Sequence, residues 1–142
     1  MARLFLDSNI FLYAIGGESP HREPCRAILA AVGQGTLDAV TSSEVLQEIL
    51  RVRARRSDIK DATRAARAAA DIVAEVLPVT REDVLSACGL LDKHPNLSAR
   101  DALHVAVMKN SNLTLLVSID RDFDSLKIPK RFEPTDVLEL LR

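Results

Sequence analysis

The chain has 142 residues, of which 47% are hydrophobic and 27% charged, and its formal net charge at pH 7 is −1. This length and composition predict one globular domain over residues 1–142 and exclude a disordered or collagen-like chain. A total charge near zero means that any nucleic-acid-binding surface must be a local basic patch. Aromatic residues are scarce, at 4%, so a platform for stacking single-stranded bases is not expected.

The two cysteines, Cys25 and Cys88, lie far apart and have no Cys or His cluster around them. Zinc and iron–sulfur sites are therefore not expected, and two small core residues in a reducing compartment are. No signal peptide is recognisable after Met1, and no apolar run reaches the roughly 20 residues that a membrane span requires. We therefore expect a cytoplasmic protein with no membrane association.

Short apolar runs alternate with helix-forming stretches along the chain. The expected strands cover residues 4–6, 37–40, 76–79, 113–119 and 132–133. The expected helices cover residues 9–14, 20–32, 44–56, 60–75, 82–93, 99–109 and 135–141. This alternation predicts an α/β fold with three layers, α/β/α, around a central parallel sheet of four to five strands.

Four acidic residues stand where an expected strand ends or an expected helix begins. They are Asp7, Glu44, Asp101 and Asp120. Because right-handed crossovers bring the carboxyl ends of parallel strands to one edge of a sheet, we expect these four side chains to meet there. Carboxylates gathered in this way repel each other unless a cation lies between them, and Mg²⁺ or Mn²⁺ prefers such oxygen ligands. The pattern predicts a metal-dependent phosphodiester hydrolase.

Each acid also has a purely structural interpretation. Thr41-x-x-Glu44 and Ser98-x-x-Asp101 match capping boxes, in which an acid returns a hydrogen bond to the residue that caps a helix. Asp7 could cap the short helix that follows it, and Asp120 could cap a turn. Helix capping does not, however, require all four acids to lie at the same edge of the sheet, so the metal-site interpretation is favoured for the set.

Four short segments around these acids are similar to the signature motifs of the PIN-domain ribonucleases. They are Leu6-Asp7-Ser8-Asn9-Ile10-Phe11, Ser43-Glu44-Val45, Arg100-Asp101-Ala102-Leu103-His104-Val105-Ala106 and Ser118-Ile119-Asp120-Arg121-Asp122-Phe123. Within that family, the chain most resembles the VapC-type toxins of toxin–antitoxin pairs. The resemblance implies a PIN-like fold, an endoribonuclease dependent on Mg²⁺ or Mn²⁺, a small antitoxin partner and a homodimer.

The same resemblance implies roles for individual residues. Asp7, Glu44, Asp101 and Asp120 stand at the family's catalytic metal-binding positions. Asn9 and Ser118 stand at polar positions that help to shape such a site. Asp122 and Asp124 remain open as additional acids, and for Asp122 a solvated or outer position is favoured over direct metal binding.

Basic residues that could hold RNA are harder to identify from the sequence. Arg51 and Arg55 belong to the densest positive run, and Arg100 neighbours Asp101. Because the arginines of this run spread around a helix, a solvated surface is as good an interpretation as phosphate binding. His104 follows Asp101 by one helical turn, and its apolar neighbours favour a hydrogen-bonded core residue over a metal ligand.

Two other functions remain open at this point. In haloacid-dehalogenase-type phosphatases a strand-end Asp is the nucleophile and a second Asp follows two residues later, where this chain has Asn9. That position disfavours the phosphatase. A protein that keeps the PIN fold without catalysis is the non-enzymatic alternative, and the presence of all four acids argues against it.

Overall fold

The computed structural model describes residues 2–142. In this part of the chain the strands are β1 (Leu4–Leu6), β2 (Ala39–Ser42), β3 (Glu75–Leu77), β4 (Leu115–Val117) and β5 (Lys130–Phe132). The α-helices are α1 (Ser8–Ile15), α2 (Arg22–Gly33), α3 (Ser43–Arg56), α4 (Ile59–Ile72), α5 (Arg81–Lys93), α6 (Ala99–Asn110) and α7 (Pro134–Leu140). A short 3₁₀ helix, Arg121–Ser125, connects β4 to β5.

All five strands are parallel and lie in the order β3-β2-β1-β4-β5. The chain moves outward from β1 to β3 and then returns to the other side of β1. Because crossovers between parallel strands are right-handed, this reversal places α5 and α6 on the opposite face of the sheet from α1–α4. The packing agrees, since α3 contacts α4, α5 contacts α6, and α2 contacts both α1 and α7. The predicted three-layer α/β/α fold is confirmed.

The order of the strands reverses between β1 and β4, which are neighbours in the sheet. Phe5 lies opposite Leu116 and Leu6 opposite Val117. The backbone N–H of Asp7 donates to the carbonyl oxygen of Val117 over 3.1 Å, so the two strands end side by side. In open α/β sheets the crevice at such a reversal is the usual ligand site. The residues that follow β1 and β4 are therefore the ones placed to form a site.

The core is built on the two central strands. Phe5, Leu6, Leu116 and Val117 are fully buried, and burying each such side chain contributes about 1.5–3 kcal/mol to stability. Both faces of these strands are covered by helices, which explains why their sequences are apolar throughout rather than alternating. The two strands thus form a rigid support for the loops that follow them.

Several element boundaries differ from the prediction. The second strand was expected at residues 37–40 but runs Ala39–Ser42, because the N–H of Leu37 donates to the carbonyl oxygen of Ala31 in α2. The fourth was expected at residues 113–119 but spans Leu115–Val117. The N–H of Leu113 donates instead to Met108 at the end of α6, which keeps it out of the sheet. Across residues 2–142, no helix combines the length and the apolarity needed to cross a membrane.

Candidate metal centre

Asp7 is the first residue after β1, and both of its carboxylate oxygens are held. Oδ1 accepts the N–H of Ser8 over 2.8 Å, so Asp7 is the N-cap of α1. Oδ2 accepts the hydroxyl of Ser118 over 2.7 Å and the side-chain amide of Asn9 over 3.3 Å. The side chain is buried. Its orientation is therefore fixed before anything binds.

Ser118 and Asn9 join the loop after β1 to the loop after β4. The Ser118 hydroxyl donates to Asp7 and accepts from the Asn9 amide over 3.1 Å and from the N–H of Asp120 over 3.1 Å. Asn9 Oδ1 accepts the N–H of Ile119 over 3.3 Å. The hydroxyl thus uses its one proton and both of its lone pairs. Any shift of one loop is transmitted to the other.

A second buried carboxylate comes from α3. Glu48 Oε2 lies 3.3 Å from the guanidinium of Arg100, and Oε1 lies 3.6 Å from His104 Nε2. The same nitrogen lies 3.7 Å from Asp7 Oδ1. One ligand atom each from Asp7, Glu48 and His104 lies within 4.8 Å of the other two, so these residues could hold one cation.

Asp101, Asp120 and Asp122 form a neighbouring group, whose carboxylate oxygens also lie within 4.8 Å of one another. Asp101 is buried in the first turn of α6, where its N–H donates to the Ser98 hydroxyl over 3.1 Å. Asp120 caps the 3₁₀ helix by accepting the N–H of Asp122 over 2.9 Å. Asp122 itself is exposed. The group of three aspartates offers only oxygen ligands, whereas the first group also offers a histidine nitrogen.

The electrostatics show what such a cluster costs without a cation. Burial, together with the nearby Asp120 and Asp7, raises the pKa of Asp101 to about 7. Burial also raises the pKa of Asp7, against the opposing effect of His104. At Glu48, burial is outweighed by His104 and Arg100, which hold its pKa below the usual value. Burial opposes ionisation at Asp101 and Asp7, and at Asp101 the neighbouring acids oppose it too, so a bound cation would be favourable there.

Residues 4–129 match the model of the PIN domain family. The chain belongs to the PIN-domain family. It is 41% identical to ribonuclease VapC13 of Mycobacterium tuberculosis over 131 residues. The aligned region covers 90% of this chain and 98% of the relative.

Two solved structures confirm the fold. The crystal structure of Mycobacterium tuberculosis VapC20, described as a sarcin–ricin loop cleaving toxin, matches with a TM-score of 0.74 at 22% identity, over 88% of this chain and 95% of that one. A toxin–antitoxin complex from Klebsiella pneumoniae matches with a TM-score of 0.66 at 16% identity, over 92% and 97%. These matches do not favour the phosphatase.

Of the acids predicted for this PIN domain, Glu44 is the one that the structure leaves outside. It is half-buried in the first turn of α3, and neither group of ligand atoms found within residues 2–142 includes it. Glu48, one turn further along the same helix, lies beside Asp7 instead. The available sequence signal was an acid set among the apolar positions Val45 and Ile49, both of which are buried.

The capping-box interpretation of Thr41 and Glu44 is wrong. The helix α3 begins at Ser43, and its cap is Ser42, whose hydroxyl accepts the N–H of Val45 over 3.3 Å. Thr41 still belongs to β2, and its hydroxyl donates to the carbonyl oxygen of Leu6 over 2.8 Å. An error of one residue in the helix start was enough to choose the wrong cap.

His104 was expected to be a hydrogen-bonded core residue. It is fully buried, but among the described residues neither of its ring nitrogens has a hydrogen-bond partner, so the hydrogen-bonded part of that prediction is wrong. Asp124, which the sequence left open as an additional acid of the site, accepts hydrogen bonds from Nε and Nη2 of Arg131 over 2.9 and 3.0 Å. It has a structural role.

The three arginines predicted to bind RNA are differently placed. Arg100 is exposed and pairs with Glu48 at the rim of the acidic groups. Arg55 is exposed and Arg51 half-buried, and both lie on α3, the helix that carries Glu48.

Proposed function

We propose that the chain is a single-domain endoribonuclease that depends on Mg²⁺ or Mn²⁺ and hydrolyses RNA phosphodiester bonds. The observation that carries the proposal is the convergence of carboxylates from four separate elements at the reversal point of the sheet. Asp7, Glu48 and Asp101 supply buried carboxylates, and Asp120 supplies a half-buried one. A relative that is 41% identical is named a ribonuclease, which supports RNA as the substrate.

The residues fit a divalent cation. Buried oxygen and nitrogen atoms without partners, and acids that resist ionisation, are features that a bound cation would stabilise. When bound, such an ion activates water and stabilises negative charge on a phosphate. In this proposal Asp7, Glu48, Asp101 and Asp120 are ligands, directly or through water, and Glu48 replaces Glu44.

The protein contributes orientation as well as charge. Asp7 is fixed by three hydrogen bonds, from Ser8, Asn9 and Ser118, so it needs no rearrangement to act as a ligand. Ser118 and Asn9 are positioning residues in this scheme. Asp122 is an exposed outer acid in this scheme, and its backbone N–H donates to Asp120 Oδ1 over 2.9 Å.

RNA must be held close to these acids despite the net charge of −1. We propose that Arg100 binds a phosphate at the rim of the site, and that Arg51 and Arg55 extend the contact along α3. Arg100 is the best placed of the three, because its partner Glu48 is itself one of the buried acids. Cations that neutralise phosphates make affinity depend steeply on salt.

We further propose that the protein is the toxin of a type II toxin–antitoxin pair, that it is inhibited by a small antitoxin protein and that it forms a homodimer in the cytoplasm. Support comes from the fold match to a toxin–antitoxin complex of Klebsiella pneumoniae and to VapC20, a toxin by its description. The toxin proposal predicts that expression of this protein alone arrests cell growth. Co-expression of a neighbouring small gene tests the partner, because only the true antitoxin should restore growth.

The activity itself is tested by digesting total RNA with Mg²⁺ or Mn²⁺ and mapping the ends. We expect cleavage that a chelator abolishes and that Asp101→Asn lowers by at least about 100-fold, because a ligand carboxylate is lost. Asp71→Asn is the matched control, since this exposed acid lies on the α4 surface away from the cluster. Cleavage by Asp101→Asn at the control's rate would refute the proposal.

A further inference from the structure

The inner group of ligand atoms differs chemically from the outer one, because it contains a histidine. His104 Nε2 lies 3.7 Å from Asp7 Oδ1 and 3.6 Å from Glu48 Oε1. Both separations are too long for hydrogen bonds. They are short enough for a single ion to contact all three atoms, which lie within 4.8 Å of one another.

All three residues are buried, and two of the three atoms, His104 Nε2 and Glu48 Oε1, have no hydrogen-bond partner in the described part of the chain, whereas Asp7 Oδ1 accepts the N–H of Ser8. The exposed fractions of His104, Asp7 and Glu48 are 0%, 4% and 7%. Within residues 2–142, Glu48 Oε1 and both ring nitrogens of His104 are buried without a hydrogen bond. Buried polar atoms in folded proteins are nearly always paired, so Glu48 Oε1 and His104 Nε2, both unpaired in this part of the chain and 3.6 Å apart, indicate a place where a ligand would be favourable.

The remaining oxygens of the two acids are already committed elsewhere. Asp7 Oδ2 accepts from Ser118 and Asn9, and Glu48 Oε2 pairs with Arg100. The other oxygen of each acid lies toward His104: among the residues that the structure describes, Glu48 Oε1 has no hydrogen bond, and Asp7 Oδ1 accepts only the N–H of Ser8. The imidazole ring is itself fixed by packing on Phe5, with the ring centres 6.0 Å apart. The result is a preformed set of one nitrogen and two oxygens.

Building on the metal centre of the proposed function, we propose that Asp7, Glu48 and His104 form an inner subsite that binds a first-row transition-metal ion through His104 Nε2. Imidazole nitrogen binds first-row transition-metal ions, of which Mn²⁺ is held most weakly, whereas Mg²⁺ prefers oxygen ligands alone and retains water. The outer group, with oxygen from Asp101, Asp120 and Asp122, has no such preference. The inner subsite accordingly selects Mn²⁺ over Mg²⁺.

One other arrangement would satisfy the same three residues. A protonated His104 could act as the cation between the two carboxylates and leave no room for a metal. Direct coordination and an internal ion pair differ in one observable, which is a bond between the metal and a ring nitrogen.

The test uses Mn²⁺ alone as the probe, bound to the full-length, tag-free protein without RNA. Pulsed electron paramagnetic resonance detects the nuclear spin of a nitrogen bound directly to Mn²⁺. The chain has three histidines, at positions 21, 94 and 104. We expect nitrogen coupling in the parent and in a His21→Gln/His94→Gln control, and its loss in His104→Gln.

Affinities provide the second measurement. We expect His104→Gln to weaken Mn²⁺ binding by at least about tenfold while Mg²⁺ binding changes by less than about threefold. If His104→Gln does not fold, the His21→Gln/His94→Gln protein still decides, because its remaining histidine is His104.

The outcomes separate the two proposals. Mn²⁺ bound without nitrogen coupling in the parent overturns the inner subsite but leaves the ribonuclease intact. Nitrogen coupling in a protein that cuts no RNA supports the subsite and overturns the proposed function. Absence of Mn²⁺ binding to the folded parent overturns both.

Discussion

Ser118 carries more of the site than its size suggests, because one hydroxyl serves three partners: Asp7, Asn9 and the N–H of Asp120. Ser118→Ala removes one hydrogen bond from each of these groups, which lie in a partly or fully buried place. We expect a loss of about 1–3 kcal/mol in the free energy of unfolding and about tenfold weaker Mn²⁺ binding. Denaturant unfolding and calorimetry measure the two effects.

Ser118→Thr is the matched control for that prediction, since it retains the hydroxyl. It is expected to keep most of the Mn²⁺ affinity that Ser118→Ala loses. Equal affinities for the Ala and Thr variants would show that the hydroxyl does not orient Asp7.

The pKa of Asp101 makes a prediction about pH. Burial and the neighbouring acids raise this pKa from its ordinary 3.8 to about 7 in the folded protein. Between those values the folded state keeps a proton that the unfolded chain has lost. The contribution of Asp101 to the free energy of unfolding of the metal-free protein should therefore fall as pH rises from about 4 to about 7. The raised pKa of Asp7 acts in the same direction.

Asp101→Asn isolates that contribution, because an amide does not ionise. We expect the variant to show a flatter dependence of stability on pH and, at pH 8, to be more stable than the metal-free parent by on the order of 1–2 kcal/mol. Urea unfolding in the presence of a chelator gives both curves. Parallel curves would mean that Asp101 ionises normally in the folded protein.

At the scale of elements, Arg131 on β5 holds the 3₁₀ helix that follows Asp120. Its guanidinium binds Asp124 through two nitrogens and also donates to the carbonyl oxygen of Ser118 and to Glu133, both over 2.9 Å. A planar guanidinium can serve all of these acceptors, which a lysine cannot.

Arg131→Ala should therefore loosen the segment Arg121–Ser125, at a cost of about 1–2 kcal/mol in stability. Hydrogen exchange of the amides in this segment should become faster than in the parent. Arg121→Ala, an exposed residue of the same segment, is the control and should change stability by less than about 0.5 kcal/mol. If hydrogen exchange in this segment is unchanged in Arg131→Ala, the hydrogen bonds of Arg131 are not what orders the 3₁₀ helix.

The elements themselves were largely predictable, because apolar periodicity and capping residues are local signals. The helix expected at residues 60–75 ends at Ile72, and Glu75 begins β3, where pairing with β2 overrides helix propensity. The choice between Glu44 and Glu48 was not local. Both lie on one side of α3, and only the packing of that helix beside Asp7 decides which of them reaches the site.

At the scale of the whole molecule, the net charge of −1 means that RNA binding must come from a few cations. We expect the logarithm of the RNA-binding constant of the inactive Asp101→Asn protein to fall linearly with the logarithm of the salt concentration. The slope should be roughly −0.7 for each phosphate contact. Adding Arg55→Gln should reduce that slope by about one contact. Filter binding over a salt series measures it.

Arg81→Gln is the corresponding control, since Arg81 is exposed on α5, in the opposite helical layer, and pairs with its neighbour Glu82. It should leave the slope unchanged. A slope that responds equally to both substitutions would show diffuse attraction rather than a contact along α3.

The fold class followed from the alternation of strands and helices, but the strand order did not. Local patterns do not specify that β4 returns to the side of β1, and this return brings Asp120 beside Asp7. The sequence predicted a hydrogen-bonded core role for His104 rather than a metal ligand. That its ring nitrogens lack partners over residues 2–142 depends on how α3, α6 and β1 pack together, which local patterns do not specify.

The hydrogen bond between Asn9 and Ile119 spans 110 positions of the chain. Translation proceeds from the amino terminus, so a ribosome exposes Asp7 and Glu48 long before it adds Asp120. No growing fragment that lacks Asp120 can hold the complete centre. The order of synthesis therefore delays assembly of the centre until the segment after β4 has left the ribosome.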